Sequence, residues 1–307
     1  KTNPLLWKLS IFKLFEKTLN MKKKILITGS TGFIGFNILN HLAKNNNITI
    51  VLRKKNNKIF DIVKKNKIKI IYYNNLNQLN NSLKKLRIDV VIHCATHYTK
   101  KHSYKDIYKL NYSNILFGNL ILENFKHLKF KKFINFTTVW ENYNGIKNNP
   151  FNLYAAYKQS FTRILNYYKS VDDNGKYYNV YLSETFGAYD TRQKLIRVLK
   201  NNFRKKLTTI LVSNNLFINV LNIKDLLKAL DILLKTNIKE DNYLAINSFK
   251  LKITDLIKYI NKVSNKKIKV KYLSNKVINE KIYTYKILPK WKPTNSKLKD
   301  ISNFILN

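Results

Sequence analysis

The chain has 307 residues, 45% hydrophobic and 24% charged, which excludes a disordered or collagen-like protein and indicates one large globular domain or two closely packed ones. The net charge of +41 suggests a nucleic-acid partner. However, only six of the 58 basic residues are Arg, and the Lys residues are spread along the chain. We therefore favour a compositional bias of the genome as the explanation and predict no nucleic-acid partner. The single cysteine, Cys94, excludes an internal disulfide and favours a reducing, cytoplasmic compartment, and no apolar run approaches the ~18 residues of a membrane span.

The only methionine, Met21, stands directly before the first predicted strand. We therefore expect residues 1–20 to be an upstream extension of the folded chain. A basic amphipathic targeting segment is the alternative, because apolar residues such as Trp7 and Phe12 can share one helical face.

From residue 24 onward, short apolar segments alternate with segments of helical periodicity, which predicts a parallel sheet with crossover helices. The segment 89–95 is nearly continuously apolar, as expected for a strand buried on both faces. After about residue 187 the alternation loosens, which indicates a smaller second domain. The predicted strands cover 24–28, 48–52, 67–73, 89–95, 132–137, 180–184 and 243–247, and the predicted helices cover 33–44, 104–125, 150–169, 224–235 and 254–262.

Three of the seven glycines, Gly29, Gly32 and Gly35, lie between a predicted strand and a predicted helix. Glycine suits positive φ, close approach of backbone to a pyrophosphate, and tight packing of a helix on a strand. The helix N-terminus favours phosphate because of its unpaired N–H groups and its dipole. An ordinary tight turn is the alternative, but glycine is scarce elsewhere in the chain. We therefore predict a nucleotide-binding turn.

The segment 28–35, with the sequence TGSTGFIG, resembles the TGxxGFIG fingerprint of the extended short-chain dehydrogenases, the NAD-dependent epimerase/dehydratase family. The resemblance spans residues 22 to about 300. It implies an α/β fold, with a Rossmann-type doubly wound parallel sheet and a smaller α/β C-terminal substrate domain. The NAD(P)-binding domain is expected at 21–180 and the substrate domain, interleaved with the sheet, at 181–307. A homodimer is the candidate assembly.

The family has a catalytic Tyr-x-x-x-Lys pair, which matches Tyr154 and Lys158 on a predicted helix. Residues four apart lie on one helix face, and a nearby ammonium can lower the pKa of a phenol by about 1–3 units from its ordinary value near 10. We therefore expect Lys158 to lower the pKa of Tyr154 toward the range of acid–base catalysis. The resemblance gives Thr138, with Thr137 as the alternative, the role of holding the reacting sugar oxygen together with Tyr154.

The resemblance also implies the cofactor contacts. Arg53, at the end of the second predicted strand, stands where an acidic residue would bind the 2′-hydroxyl of NAD, so we expect NADP rather than NAD. Asn75 replaces the usual Asp against the adenine, and Asn111 matches a helix Asn that steadies the active site. The expected cofactor-binding residues are Gly29, Thr31, Gly32, Phe33, Ile34, Gly35, Arg53, Asn75, Leu76, Ala95, Thr96, Asn111 and Lys158.

The segment 184–194 resembles a substrate loop of sugar-nucleotide 4-ketoreductases of the abequose/paratose synthase type. Arg192 and Lys194 carry charges that suit a nucleotide diphosphate, and the basic field of the chain would attract such an anion. A 4,6-dehydratase is disfavoured, because Val139 and Trp140 stand where that subclass has an Asp–Glu pair. The expected substrate-binding residues are Thr138, Glu184, Arg192 and Lys194.

These residues favour a nucleotide-sugar 4-ketoreductase over a 4-epimerase, which uses the same catalytic groups. The alternative from another class is a noncatalytic dinucleotide-binding or nucleic-acid-binding member of the fold, and the intact Thr138, Tyr154 and Lys158 count against it. His93 and His97 lack carboxylate or thiol partners at metal-ligand spacing, so we predict no metal site.

Overall fold

The computed structural model describes residues 22–239 and 241–307, and the expected upstream extension, 1–20, lies outside the described residues. The main sheet within these ranges contains β1 (Lys24–Thr28), β2 (Asn47–Leu52), β3 (Lys69–Tyr72), β4 (Val90–His93), β5 (Lys132–Thr138), β6 (Lys176–Leu182), β11 (Asn242–Ala245) and β15 (Lys286–Ile287). All neighbouring strands are parallel, in the order β3-β2-β1-β4-β5-β6-β11-β15. The predicted Rossmann-type parallel sheet is confirmed.

Helices cover both faces of this sheet. Along β1, Ile25 and Ile27 join the apolar core on one face, whereas Leu26 joins the core on the other, because successive strand residues point to opposite faces. This double burial explains why the strands are apolar throughout. The helices are α1 (Phe33–Leu42), α2 (Phe60–Asn66), α3 (Leu76–Lys84), α4 (Tyr104–Asn111), α5 (Phe117–Glu123), α6 (Phe125–Leu128), α7 (Leu153–Val171), α8 (Leu195–Arg204), α9 (Ile223–Lys235), α10 (Ile253–Val263) and α11 (Leu298–Leu306).

The region predicted as one helix over 104–125 has a more complex form. A π-helical turn, Tyr112–Leu116, separates α4 from α5. The helix then ends at Glu123, and the short α6 follows Asn124. A π turn changes which side chains face the core. In this chain the buried residue of the turn is Asn114.

The chain leaves the main sheet near Ser183, which divides the predicted strand at 180–184. β6 begins at Lys176 and ends at Leu182, and Glu184 opens a separate strand. That strand pairs with Val220–Asn222 in a small sheet of its own. The smaller strands are β7 (Glu184–Phe186), β8 (Thr209–Leu211), β9 (Leu216–Ile218), β10 (Val220–Asn222), β12 (Leu251–Lys252), β13 (Val270–Tyr272) and β14 (Ile278–Asn279).

The second half has its own apolar core and also contributes two strands, β11 and β15, to the main sheet. Leu199 of α8, Leu256 of α10 and Ile301 of α11 are buried in that core. The helices α2, α3, α8 and α11 were not predicted, although the apolar residues of α3, α8 and α11 recur at helical spacing, as Ile196, Leu199 and Phe203 do in α8.

Asp225, in the first turn of α9, ties the second half to the C-terminal segment. Its carboxylate is fully buried. It accepts hydrogen bonds from Thr294 N at 3.0 Å, from Asn295 N at 2.8 Å and Asn295 Nδ2 at 2.8 Å, and from Ser296 Oγ at 2.7 Å. These donors replace the water that a carboxylate loses on burial.

Candidate active site

The turn after β1 brings the carboxyl ends of β1 and β4 together. Gly29 has φ +67°, and a Cβ at this position would lie 2.6 Å from Ala95 N. A Cβ on Gly35 would lie 2.2 Å from Gly29 O, so only glycine allows α1 to pack this closely on the turn. Thr28 Oγ1 accepts a hydrogen bond from Ala95 N at 3.1 Å. The result is a tight backbone cradle at the carboxyl edge of the sheet.

The cradle fits the pyrophosphate of a dinucleotide. Gly32 is the N-cap of α1 and supplies no side-chain hydrogen bond, so the helix N-terminus presents backbone N–H groups. Ser30 Oγ is buried and has no hydrogen-bond partner within residues 22–239 and 241–307. Backbone N–H groups at a helix N-terminus and an unsatisfied buried hydroxyl are donors that an anionic ligand would satisfy.

Further predicted cofactor contacts lie beyond the ends of β2 and β3. Arg53 is exposed just beyond β2. Lys58 was not predicted as a site residue, yet its Nζ donates to Thr31 O at 3.3 Å and lies 4.5 Å from the centre of the Phe36 ring. Asn75 is exposed, and its side chain caps α3 by accepting from the backbone N of Gln78. Leu76 is the first residue of that helix.

A cleft of about 270 Å³ opens beside the cradle and contains Thr138 and Tyr154. Ile34, Cys94 and Thr96 line the same cleft. Thr138 stands at the end of β5, where its Oγ1 accepts a hydrogen bond from Trp140 N at 3.2 Å. The alternative hydroxyl, that of Thr137, donates to the buried carboxylate of Glu141. Thr138 is therefore the hydroxyl that remains available to a ligand.

The surroundings of Tyr154 differ from the expected ones. Its hydroxyl hydrogen-bonds the side chain of Thr96, and its ring meets that of Tyr98 edge-on at 5.0 Å between ring centres. Burial raises the pKa of Tyr154 to about 12, and the bond to Thr96 and the charge of Arg192 only partly oppose this. The expected lowering by Lys158 is therefore wrong, because desolvation of the phenolate is the larger effect.

Lys158 lies one turn from Tyr154 on α7 and is buried. Burial lowers its pKa, while the negative charge of Glu141 and the thiol of Cys94 oppose the shift. Glu141 was not predicted as a site residue. Burial raises its pKa, although the hydrogen bonds from Thr137 and Thr162 and the charge of Lys158 act in the opposite direction. Thr162 Oγ1 is 3.2 Å from Glu141 Oε1 and 3.2 Å from the main-chain oxygen of Lys158, and its single proton is donated to one of these two acceptors at a time. Lys158 therefore has a buried carboxyl neighbour behind the cleft.

His93 belongs to the core. Its Nδ1 is 3.1 Å from Thr28 Oγ1, and its ring contacts Phe133 and Phe161. Burial lowers its pKa to about 3, with a further contribution from Lys158. His97 lies in the following loop, 3.8 Å from Asp106. Within the described parts of the chain, no group of three or more His, Cys, Asp and Glu side chains is placed to hold a metal ion.

The asparagine that holds the loop beside Tyr154 is Asn114, not Asn111. Asn111 is exposed, whereas Asn114 is buried in the π turn. Asn114 Oδ1 accepts from Thr96 Oγ1 at 2.6 Å and from His97 N at 3.0 Å, and Asn114 Nδ2 donates to His97 O at 3.0 Å. The contact with the active-site loop that was expected of Asn111 is thus made by Asn114, three residues later. No local signal distinguishes Asn114, because Asn111, Ser113 and Asn119 are also polar residues of the same helical run.

The predicted substrate residues line the far side of the cleft. Arg192 is bound to Asp190 at 2.8 Å and donates to Thr185 O at 2.6 Å, while its guanidinium lies 4.2 Å over the Phe33 ring. This places it between the glycine turn and the substrate loop. Because Asp190 already pairs with it, its charge is partly compensated before any ligand binds.

Lys194 is also paired. Its Nζ is 3.3 Å from Glu184 Oε2 and lies 4.3 Å from the ring centre of Tyr98 and 4.7 Å from that of Trp140. Sequence reasoning missed both aromatic residues and Glu280, which enters the cleft from the C-terminal segment. No local pattern marks Glu280, since it follows a strand of only two residues.

In the described residues, no helix combines the length and apolar character needed to cross a membrane. The model of the NAD dependent epimerase/dehydratase family matches residues 25–247. Together with the parallel sheet and the glycine cradle, this match assigns the chain to that family.

Among curated proteins, the chain is 31% identical over 278 residues to dTDP-D-glucose 4,6-dehydratase of Dictyostelium discoideum, which covers 79% of this chain and 62% of that protein. It is 28% identical over 224 residues to CDP-abequose synthase of Yersinia pseudotuberculosis, covering 67% of this chain and 71% of that protein. The chain thus spans less than two thirds of the length of the Dictyostelium relative.

Solved structures share the fold. UDP-glucuronic acid 4-epimerase of Bacillus cereus, in complex with a fluorinated UDP-glucuronic acid and NAD, has a TM-score of 0.77 at 20% identity, covering 92% of this chain and 99% of that one. UDP-N-acetylglucosamine 4-epimerase of Methanobrevibacter ruminantium M1 has a TM-score of 0.77 at 20% identity, covering 93% and 98%. At this identity the likeness concerns the fold alone.

Proposed function

We propose that the protein is an NAD(P)-dependent enzyme acting at C4 of a nucleotide-diphosphate sugar, and specifically a 4-ketoreductase. The observation that carries the proposal is the shared cleft of Thr138 and Tyr154 beside a glycine cradle that fits a pyrophosphate. Lys158 lies one helical turn from Tyr154. A hydroxyl and a phenol in a cleft beside a dinucleotide site, with an ammonium one helical turn behind the phenol, are the groups that carbonyl reduction requires.

When bound, the nicotinamide supplies the hydride. The protein's own part is to hold and protonate the C4 oxygen. Thr138 Oγ1 donates a hydrogen bond to that oxygen, and Tyr154 gives it a proton as the carbonyl becomes an alcohol. The high pKa of Tyr154 keeps the phenol protonated before the reaction, which suits a proton donor. Lys158 serves the nicotinamide ribose, and the Asn114–Thr96 contact fixes the loop that touches Tyr154.

The substrate assignment rests on the cleft and on the relatives. Arg192 and Lys194 are the cations on its substrate side that would take the diphosphate, exchanging part of their contact with Asp190 and Glu184. The similarity to CDP-abequose synthase favours a ketoreductase. The similarity to a dehydratase is opposed by Val139 and Trp140, which provide no carboxyl next to Thr138.

For the cofactor we propose NADP in preference to NAD. Arg53 at the end of β2 and Lys58 over the turn are the cations that a 2′-phosphate would meet. The test is the ratio of dissociation constants for NADPH and NADH, measured by fluorescence. If NADH binds about tenfold or more tightly than NADPH, a difference of ~1.4 kcal/mol in binding free energy in favour of NADH, this part of the proposal is refuted.

The function is tested with a panel of CDP-, UDP-, GDP- and dTDP-4-keto sugars, by following the absorbance of the reduced nicotinamide. Stoichiometric consumption of NADPH supports the ketoreductase. Tyr154→Phe should lower kcat by about 10²–10⁴-fold, as expected for loss of a positioned proton donor, while the cofactor still binds. Tyr157→Phe is the matched control, because Tyr157 lies three residues after Tyr154 on α7 and outside the cleft.

The second candidate is a 4-epimerase, which the fold neighbours favour. Interconversion of C4 epimers without net consumption of NADPH would identify it. A noncatalytic member of the fold would neither reduce any 4-keto sugar of the panel nor interconvert the C4 epimers of the corresponding nucleotide sugars. Sedimentation analysis of the purified protein tests the homodimer, which we propose on the family resemblance.

A further inference from the structure

Two carboxylates face the cleft that contains Tyr154. Glu184 reaches it from the start of β7 and Glu280 from the segment after β14. In each of them, Oε1 is buried and has no hydrogen-bond partner among the described residues. The two side chains come from segments almost a hundred residues apart, so the fold alone brings them to one cavity.

Neighbouring groups hold both carboxylates in place. Lys194 pairs with the other oxygen of Glu184 at 3.3 Å. The side chain of Trp140 donates a hydrogen bond to Glu280. Lys194 also lies over the Trp140 ring, so Glu184, Lys194, Trp140 and Glu280 form one continuous row along the cleft wall.

An acceptor buried without a donor costs free energy, and native proteins leave few of them. The unpaired Oε1 atoms therefore indicate that a ligand supplies the donors. Sugar hydroxyl groups are such donors, whereas a sugar carboxylate is only an acceptor and adds like charge. Lys250 also lines the cleft and keeps its positive charge, but its Nζ donates to Asn279 Oδ1 at 2.7 Å and to the main-chain oxygen of Glu280 at 2.6 Å, which occupies two of its three donors.

We propose that Glu184 and Glu280 accept hydrogen bonds from hydroxyl groups of the substrate's sugar, and that Glu280 thereby selects a neutral sugar over a uronic acid. This assignment rests on the proposed function, because it presumes that a nucleotide sugar occupies the cleft. It adds a specificity-determining residue, Glu280, that no sequence motif marks.

The test compares two probes that differ only at C6, UDP-glucose and UDP-glucuronic acid, by isothermal titration calorimetry with NADPH present. All proteins carry Tyr154→Phe so that no turnover disturbs the heats. Glu280→Gln keeps the size of the side chain and one acceptor oxygen but removes the charge and adds a donor. Glu123→Gln is the control, because Glu123 is exposed on α5, away from the cleft, and its contact with Tyr168 needs only an acceptor.

The parent protein should bind UDP-glucose more tightly than UDP-glucuronic acid. In Glu280→Gln the ratio of the two dissociation constants should shift toward UDP-glucuronic acid by about tenfold or more, and in Glu123→Gln it should not change. An unchanged ratio in Glu280→Gln would overturn this assignment and leave the proposed function intact. A parent protein that binds neither the neutral sugar nor the uronic acid with any of the four nucleotides of the panel would overturn both.

Discussion

Replacing Asp225 by Asn tests whether the buried carboxylate at the start of α9 holds the second half of the molecule together. The substitution preserves the size and shape of the side chain and removes one oxygen and the charge. Four donors from the segment 294–296 lie within 3.1 Å of the carboxylate oxygens. Two of them contact Oδ1 and the other two lie closest to Oδ2.

The magnitude follows from counting these donors. Asn can keep an acceptor on one side only, so two donors face its NH₂ group instead of an oxygen. A hydrogen bond to a charged group contributes about 1.5–3 kcal/mol, and a buried donor without an acceptor costs about 1–3 kcal/mol. Because Ser296 can rotate its hydroxyl to accept, part of the loss is recovered. We expect Asp225→Asn to reduce the free energy of unfolding by about 2–5 kcal/mol.

The assay is urea unfolding followed by circular dichroism, with the midpoint compared at constant m. Asp255→Asn is the matched control. Asp255 is the third residue of α10, as Asp225 is of α9, but it is exposed. It should lose only the helix-dipole contribution of about 0.3–1 kcal/mol. Equal losses in the two variants would refute the argument, because both would then reflect the dipole alone.

Three further predictions concern the site. Gly35→Ala should weaken NADPH binding by about tenfold or more, because the Cβ of an alanine at this position would lie 2.2 Å from Gly29 O. A dissociation constant for NADPH within about twofold of the wild-type value would contradict this prediction. The pKa of His93 is lowered by burial to about 3 from 6.5, so the unfolded chain binds more protons between these values and stability falls as the pH drops through them. His93→Phe should remove this dependence on pH. Between about pH 7 and about pH 4.5, the free energy of unfolding measured by urea titration should fall by about 1–3 kcal/mol more in wild type than in the variant. Equal falls in the two proteins would count against this prediction. Asn114→Ala should lower kcat by about tenfold or more, because it loosens the loop beside the active site, whereas substitution of the exposed Asn111 by Ala should leave kcat unchanged. If steady-state kinetics show the same effect for both variants, Asn114 does not have the role given to it here.

The parts of the site that were predicted from the sequence are those whose chemistry is written in short segments. The strand, glycine turn and helix at 24–42 follow from local patterns, and the structure has them at almost the expected bounds. Thr138 and Tyr154 were matched by motif, and the fold brings them to one cleft. The contact expected of Asn111 is made three residues later, and the motif does not reveal the π turn that buries Asn114.

The pKa of Tyr154 is a second example. Spacing on a helix places Lys158 one turn away, but it does not report how much water reaches the phenol. The structure adds burial, the Thr96 contact and the nearby charges of Arg192 and Glu141. Burial prevails, so the pKa rises to about 12 where local spacing alone predicted a fall.

The amino-acid order by itself determined the class of fold and the cofactor cradle, because short continuous apolar runs, a helical period and the steric demands of glycine act over a few neighbouring positions. The tertiary structure alone decided what surrounds the reacting groups. It paired Lys194 with Glu184, placed Glu141 behind Lys158, and carried Glu280 into the cleft from the C-terminal segment. These contacts join residues ten or more positions apart in the chain, and both desolvation and charge interaction depend on distance in space rather than on separation in sequence.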